Sequence, residues 1–220
     1  MLHPLQGPLA LVCGALSIRW RRMVKQFRFA FLILLLCGST NLAQSPYFPP
    51  GSLDNSPRLD HFCSDWYSKQ LKALDEPSLW SRSKTQKEQS YRLLWLRTFH
   101  YPIVIRIDVS ADGTSRLTVK MTDGTGGYAP GHLVLNDTST LTREQTGWFL
   151  GKIEENSFWK LAAIDQSRMG LDGAQWIIEA VKNGSYHIVD RWSPKHGPVR
   201  AIALLMLHKL AKMKVPGPTY

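Results

Sequence analysis

The sequence lacks an apolar run long enough to cross a membrane. Its most hydrophobic run, Phe29 to Cys37, has nine residues, whereas the hydrocarbon core of a bilayer needs about 20. A transmembrane anchor built on this run is therefore excluded. The chain also has no repeat with a period of about 20 to 50 residues, which excludes a solenoid or a propeller.

The residues around this short run are ordered like a secretory signal peptide. Lys25 and Arg28 form a basic head, the apolar run follows, and small polar residues lead to Ala43. We therefore expect residues 1–43 to be a signal region, with Met23 as a candidate true start. The expected location is outside the cytoplasm, in the periplasm or secreted.

Cys37 supports a second interpretation of the same segment. A lipoprotein signal also ends its apolar run at a cysteine, which then carries a lipid, but Leu36 is larger than the residue usually found before it. Signal cleavage after Ala43 is the first expectation. A lipid anchor in the bacterial envelope, attached through Cys37, is the second.

The net charge of +10 has no nucleic-acid signature once it is located along the chain. Five basic residues and no acidic residue precede Gln44, which leaves 22 basic against 17 acidic residues in the remainder. These are spread evenly, without a basic stripe interleaved with aromatic residues. Nucleic acid is therefore not an expected partner.

Cys63 is the only cysteine after residue 43, so the expected mature chain has no internal disulfide. A nucleophilic pair with His61 fails, because residues two apart on a helix point to different faces. Cys63 instead belongs to an apolar helical stripe, and we expect it to be buried. The stripe comprises Leu59, Phe62, Cys63, Trp66, Leu71 and Leu74.

Motifs of common catalytic and cofactor sites are also missing. The sequence has no Gly-x-Ser-x-Gly elbow, and its seven histidines form no short metal-ligand motif. The glycine-rich stretch 123–131 lacks Gly-Lys-Ser/Thr and precedes a predicted strand, so we expect a wide turn there rather than a phosphate site. The sequence indicates neither a cofactor nor a metal.

The remaining chain predicts one domain. Residues 44–57 are rich in proline and glycine and are expected to form a linker. Residues 58–215 are expected to form a single α+β domain, with an antiparallel sheet of five or six strands built from hairpins. About three helices, near 59–74, 143–156 and 199–214, are expected mainly on one face. Residues 91–97 fit a strand or a helix equally well.

Two hairpins are predicted. The first turns near Asp112 and Gly113, between strands whose alternate residues are apolar. In the second, Asn183 and Gly184 tolerate the positive φ of a two-residue turn, which pairs Lys182 with Ser185. One face then holds Trp176, Ile178, Ala180, His187, Val189 and Arg191, and the other holds Ile177, Glu179, Val181, Tyr186, Ile188, Asp190 and Trp192.

The second hairpin resembles a known pattern. DGAQWIIE followed by YHIVDRWSP is similar to uncharacterised exported bacterial proteins that pair a DGxxWxxE strand with a YHxxxRWxP strand. The resemblance covers about the last 60 residues and implies export and a similar fold. It implies no activity.

Two functions compete. The first is a non-catalytic domain that binds a small ligand or an envelope protein through aromatic surface on the sheet. Its candidate contacts are Tyr128, Trp176, Arg191 and Trp192, with Arg191 expected over the ring of Trp176. The second is a hydrolase with a site assembled from distant residues. Its candidates are His100, His187, Glu179 and Asp190, although the predicted register places His187 on the face opposite the two carboxylates.

Overall fold

The computed structural model describes residues 46–85, 88–165, 170, 172–215, 217 and 219. These residues form one six-stranded antiparallel sheet and four α-helices, which confirms the predicted α+β class. The predicted signal region, with Met23 and Cys37, lies outside them. The elements are α1 (Pro57–Ala73), α2 (Leu79–Thr85), β1 (Gln89–Arg97), β2 (Ile103–Val109), β3 (Ser115–Thr122), β4 (Leu133–Leu141), α3 (Arg143–Glu155), a 3₁₀ turn (Phe158–Lys160), β5 (Ala174–Lys182), β6 (Ser185–Trp192), α4 (Pro198–Leu204) and a π-helical turn (Leu205–Leu210).

The strand order is β4–β3–β2–β1–β5–β6, and every neighbouring pair is antiparallel. β1 has a neighbour on each side, and all of its residues after Gln89 are buried. A strand that is covered on both faces has no polar face, so its sequence shows no alternation. This explains why residues 91–97 could not be assigned from their pattern.

Two hydrophobic cores lie on opposite faces of the sheet. Leu93 and Trp95 point into one core and Leu94 and Leu96 into the other, as alternating side chains of a strand must. Helices α3 and α4 share the first core, and we call this side the α3/α4 face. Helix α1 packs on the other side, the α1 face, rather than beside them as expected. Both faces of the sheet carry apolar residues, so each needs a cover.

The described part of the predicted linker packs against the α1 face. Phe48 and Leu53 are buried in the same core as α1. Asp60, in the first turn of α1, accepts hydrogen bonds from the backbone N–H groups of Gly51 and Leu53. Residues 46–57 are therefore an ordered extension of the domain, in contrast to the free spacer that their composition suggested.

The second hairpin forms in the predicted register. Lys182 pairs with Ser185, and the pairing continues to Gln175 opposite Trp192. Asn183 and Gly184 have φ angles of 54° and 81°, the left-handed conformation that the two-residue turn requires. The two faces of the hairpin consequently contain the residues that were assigned to them.

The predicted helices begin close to the expected residues, but the last helix ends irregularly. Thr142 caps α3 by accepting from the Gln145 N–H, and the Gln145 side chain accepts from the Thr142 N–H, which completes a capping box. Phe149 and Ile153 of α3 are buried, whereas Trp148 is 44% exposed. The last helix passes into a π-helical turn at 205–210 and ends before residue 214.

Candidate functional site

A cavity of about 290 Å³ lies on the α1 face, where α1 crosses the ends of β5 and β6. Aromatic rings, aliphatic side chains, small polar groups and carboxylates line it. Its described lining contains no lysine, arginine or histidine. The lining residues are Leu53, Asp54, Phe62, Cys63, Trp66, Tyr67, Thr98, Gly127, Tyr128, Ile164, Asp165, Gly170, Gln175, Asp190 and Trp192.

Helix α1 supplies one wall. Cys63 and Tyr67 are one turn apart, so both face the sheet, and both are buried. Phe62 and Trp66, the pair one position earlier on the helix, lie nearer the opening, with their ring centroids 6.2 Å apart. Phe62 is 58% exposed. The apolar stripe of α1 therefore continues past the core and forms the aromatic entrance of the cavity.

The glycine-rich loop between β3 and β4 supplies the second wall. The Gly126 N–H donates to the Arg97 carbonyl, and the Gly127 N–H donates to the Thr98 carbonyl. A Cβ atom on either glycine would come within 3 Å of that backbone, so the approach requires glycine. The indole N–H of Trp66 donates to the Gly126 carbonyl at 2.9 Å. The loop is thus fixed between β1 and α1, and it carries Tyr128 at the entrance.

Asp190 lies at the base of the cavity in a cluster of hydrogen bonds. The Tyr67 hydroxyl donates to its Oδ2 at 2.7 Å, and the Gln175 amide donates to its Oδ1 at 2.8 Å. The second N–H of Gln175 donates to the Tyr67 hydroxyl oxygen at 2.7 Å. Each oxygen of the carboxylate therefore has one neutral donor. The Gln175 Oε1 atom is buried and has no hydrogen-bond partner among the described residues.

Burial dominates the protonation of this cluster. It raises the pKa of Asp190 to about 6, even though the donors Tyr67 and Gln175 act in the opposite direction. It also raises the pKa of Cys63 to about 11 and that of Tyr67 well above its usual value, in both cases with a further contribution from the charge of Asp190. At neutral pH the thiol and the phenol are protonated, and Asp190 is an anion.

Two other buried carboxylates of the α1 face, Glu179 and Glu76, are held by arginines instead. Glu179 receives the Arg92 guanidinium, with Nη2 to Oε2 at 2.5 Å, and also the Tyr186 hydroxyl at 2.9 Å. Glu76 contacts the same Arg92 at 3.4 Å and binds Arg106 at 2.7 Å. These groups form a buried network in which positive and negative charges alternate. Asp190 is outside this network, and it has no ion pair among the described residues.

The four predicted contact residues do not form one surface. Tyr128 and Trp192 line the cavity, whereas Trp176 is fully buried in the core of the α3/α4 face and has no surface to offer a ligand. Arg191 lines a neighbouring cavity on the other side of Trp192, and its guanidinium donates to backbone carbonyls. The guanidinium over Trp176 belongs to Arg200, 5.3 Å from the ring centroid.

The four residues of the hydrolase hypothesis are separated as well. His187 lies on the α3/α4 face, with its ring 5.1 Å from that of Phe158, and Glu179 is bound to Arg92. Neither His187 nor His100 is part of the described lining of the cavity. The structure therefore assembles no His–carboxylate pair from this set, and only Asp190 reaches the cavity.

Sequence reasoning missed Trp66, Tyr67 and Gln175 as site residues. Gln175 was predictable, because the predicted register of the second hairpin, extended by one pair, places it opposite Trp192. Tyr67 was not, since its contact with Asp190 joins positions 123 residues apart. Only the packing of α1 on the sheet brings the two together.

Comparisons with protein-family models, with curated proteins and with solved structures gave no match. In the described part of the chain, no helix combines the length and hydropathy needed to span a bilayer. The same residues contain no group of three histidine, cysteine or acidic side chains placed to hold a metal ion. The geometry of the cavity is thus the basis for a functional proposal.

Proposed function

We propose that this domain is a non-catalytic binding protein for a small molecule, which enters the cavity between α1 and the sheet. The observation that carries the proposal is the composition of the cavity: aromatic walls around a few converging polar groups. Small-molecule sites typically have this composition, with apolar surface for affinity and few polar groups for orientation. The volume of about 290 Å³ suits a small ligand.

The protonation of the lining favours binding over catalysis. Cys63 is a poor nucleophile, because burial raises its thiol pKa to about 11. Tyr67 is likewise held protonated, and no histidine is in the described lining to act as a base towards either group. A general acid–base mechanism would need a partner for Asp190 within hydrogen-bond reach of a substrate.

A fragment screen followed by ligand-observed NMR tests the proposal. Tyr128 is 62% exposed, so Tyr128→Ala should leave the fold intact and weaken the binding of fragments that enter the cavity. Trp148→Ala is the matched control, since it removes an exposed ring on α3, on the opposite face. A screen of varied fragments without any Tyr128-dependent binder would contradict the proposal.

The exposed rings at the entrance favour a second candidate, a partner protein in the envelope. Phe62, Phe99 and Tyr128 are each more than half exposed, and the Phe99 and Tyr128 rings are stacked with centroids 6.2 Å apart. Exposed aromatic groups of this kind are typical of protein-binding surfaces. Loss of a captured partner on Phe99→Ala, with fragment binding unchanged, would favour this candidate.

We also propose that the protein is exported, on the basis of the signal-like residues 23–43. N-terminal sequencing of the mature protein should begin at Gln44, and mass spectrometry should find no lipid. An acylated N-terminal Cys37 would establish the lipoprotein alternative. A cytosolic protein with an intact N-terminus would contradict both.

A further inference from the structure

Asp190 is a buried negative charge of the cavity that forms no ion pair among the described residues. Asp190 is only 8% exposed, and burying a charge without a partner is costly. The neighbouring carboxylate on the same hairpin, Glu179, has Arg92 in direct contact. The hydrogen bonds that Asp190 does receive come from neutral groups, Tyr67 and Gln175. They reduce the cost of burial without supplying charge.

We propose that the ligand is an organic cation, a protonated amine on an apolar or aromatic body, whose ammonium group pairs with Asp190. The inference rests on the proposed function and adds the chemical class of the ligand. Aromatic walls suit the same class, because the faces of tryptophan and tyrosine rings attract cations. Phe62, Trp66, Tyr128 and Trp192 provide such rings around the cavity.

The base of the cavity offers acceptor capacity, which an ammonium group needs. Each Asp190 oxygen uses one lone pair for its neutral donor and keeps further acceptor capacity. Gln175 Oε1 is a buried acceptor with no partner among the described residues. An ammonium group has three donors, and it can therefore use the acceptor capacity that remains on Asp190.

The remaining charges of the cavity also favour a cation. Asp54 and Asp165 add two carboxylates to the lining, although Asp165 is paired with the Arg191 guanidinium at 3.9 Å, and the described part of the lining contains no basic side chain. The nearest arginine in sequence, Arg191, points to the other side of Trp192, where it donates to the Ala162 and Ala163 carbonyls. An anionic ligand would meet like charge and, in the described lining, no basic side chain.

Matched probes of three charge classes test the inference in the full-length mature protein. The probes are 2-phenylethylamine, 2-phenylethanol and 3-phenylpropanoate, which share a ring and a short chain and differ in charge. Binding is measured by ligand-observed NMR at pH 7.5. We expect the amine to bind about tenfold or more tightly than the alcohol, since a charge-assisted hydrogen bond in a buried site contributes more than a neutral one.

Two variants locate the effect. Asp190→Asn should remove the preference for the amine and leave the affinity for the alcohol within about twofold, because the shape of the side chain is retained. Asp137→Asn is the matched control, since Asp137 is exposed on β4, at the opposite edge of the sheet. It should leave the preference unchanged.

The outcomes distinguish a failure of the cation inference from a failure of the binding function, on which the inference rests. Alcohol or carboxylate probes that bind as tightly as the amine, in a Tyr128-dependent manner, would overturn the inference and support the binding function. An amine preference that survives Asp190→Asn would also overturn it. If no probe of any class and no fragment binds, both proposals fail.

Discussion

Glu179 and Asp190 lie on the same face of one hairpin, on neighbouring strands, and both are buried. Glu179 is enclosed by Arg92 and Tyr186, and its charge is neutralised within the fold. Asp190 is held by neutral donors at the base of a cavity, and its pKa is raised to about 6. A buried charge that the fold neutralises has a structural role. A buried charge that is not neutralised and lies beside a cavity indicates a binding site.

The largest effect is expected from Glu179→Gln. The substitution leaves the Arg92 guanidinium fully buried with its nearest counter-charge removed, which costs about 3 kcal/mol or more. Chemical denaturation should show this loss in the free energy of unfolding. Glu155→Gln, in an exposed pair with Lys152, is the control and should change stability by no more than about 0.5 kcal/mol. A small loss of stability in Glu179→Gln would contradict the structural role that distinguishes Glu179 from Asp190.

Asp190→Asn should have the opposite effect on the free energy of unfolding and stabilise the protein at neutral pH. The folded pKa of about 6 lies above the ordinary value of 3.8, so the wild-type protein loses stability as the pH rises from about 4 to 6. The loss amounts to about 3 kcal/mol and persists at higher pH. The Asn variant cannot ionise, and we expect it to be more stable than the wild type at pH 7.5, with little difference at pH 4.

The groups around Asp190 set its pKa and therefore the pH range in which the stability changes. Burial of the carboxyl raises its pKa, while Tyr67 of α1, Gln175 of β5 and the adjacent Arg191 lower it. Tyr67 and Cys63 stay protonated throughout this range. Denaturation curves of both proteins at pH 4, 5, 6 and 7.5 measure the difference. A variant less stable than the wild type at pH 7.5 would show that the anion is already compensated.

The smallest effect concerns the scaffold that the two carboxylates share. Gly184 has a φ of 81°, and a β-branched residue resists this conformation, so Gly184→Val should cost about 1 kcal/mol. Because the turn supports both strands, the loss should be independent of pH between 4 and 7.5. Denaturation curves at both limits test this. A pH-dependent loss would indicate that the turn also sets the environment of Asp190.

Local signals in the sequence predicted the hairpins, the start of α3 and the register that separates His187 from Glu179. Asn183-Gly184 and Thr142 with Gln145 act through neighbouring backbone groups, so their consequences can be derived from short segments. The face covered by α1 could not be derived in this way. The apolar stripe includes Phe62, which is exposed and forms the entrance of the cavity.

The candidate site depends on contacts between distant parts of the chain. Tyr128 and Trp192 were predicted from their residue type and the loops around them, but Trp176 was assigned to the surface although it is in the core. The proline-rich residues 46–57 suggested a spacer, because a sequence pattern does not show that Phe48 and Leu53 find apolar partners. The sequence also does not show that Asp190 lacks an ion pair with the described residues, because this depends on how the chain packs.

The side-chain carboxyl resonance of Asp190 gives the most direct test of the central claim, that the charge of this buried carboxylate is not neutralised by an ion pair, as none forms among the described residues. The resonance is followed by NMR between pH 3 and 8 and assigned by its loss in Asp190→Asn. We predict a titration midpoint near pH 6. A midpoint near 4 or below would contradict the account, because it would show that the fold or the solvent already compensates the charge.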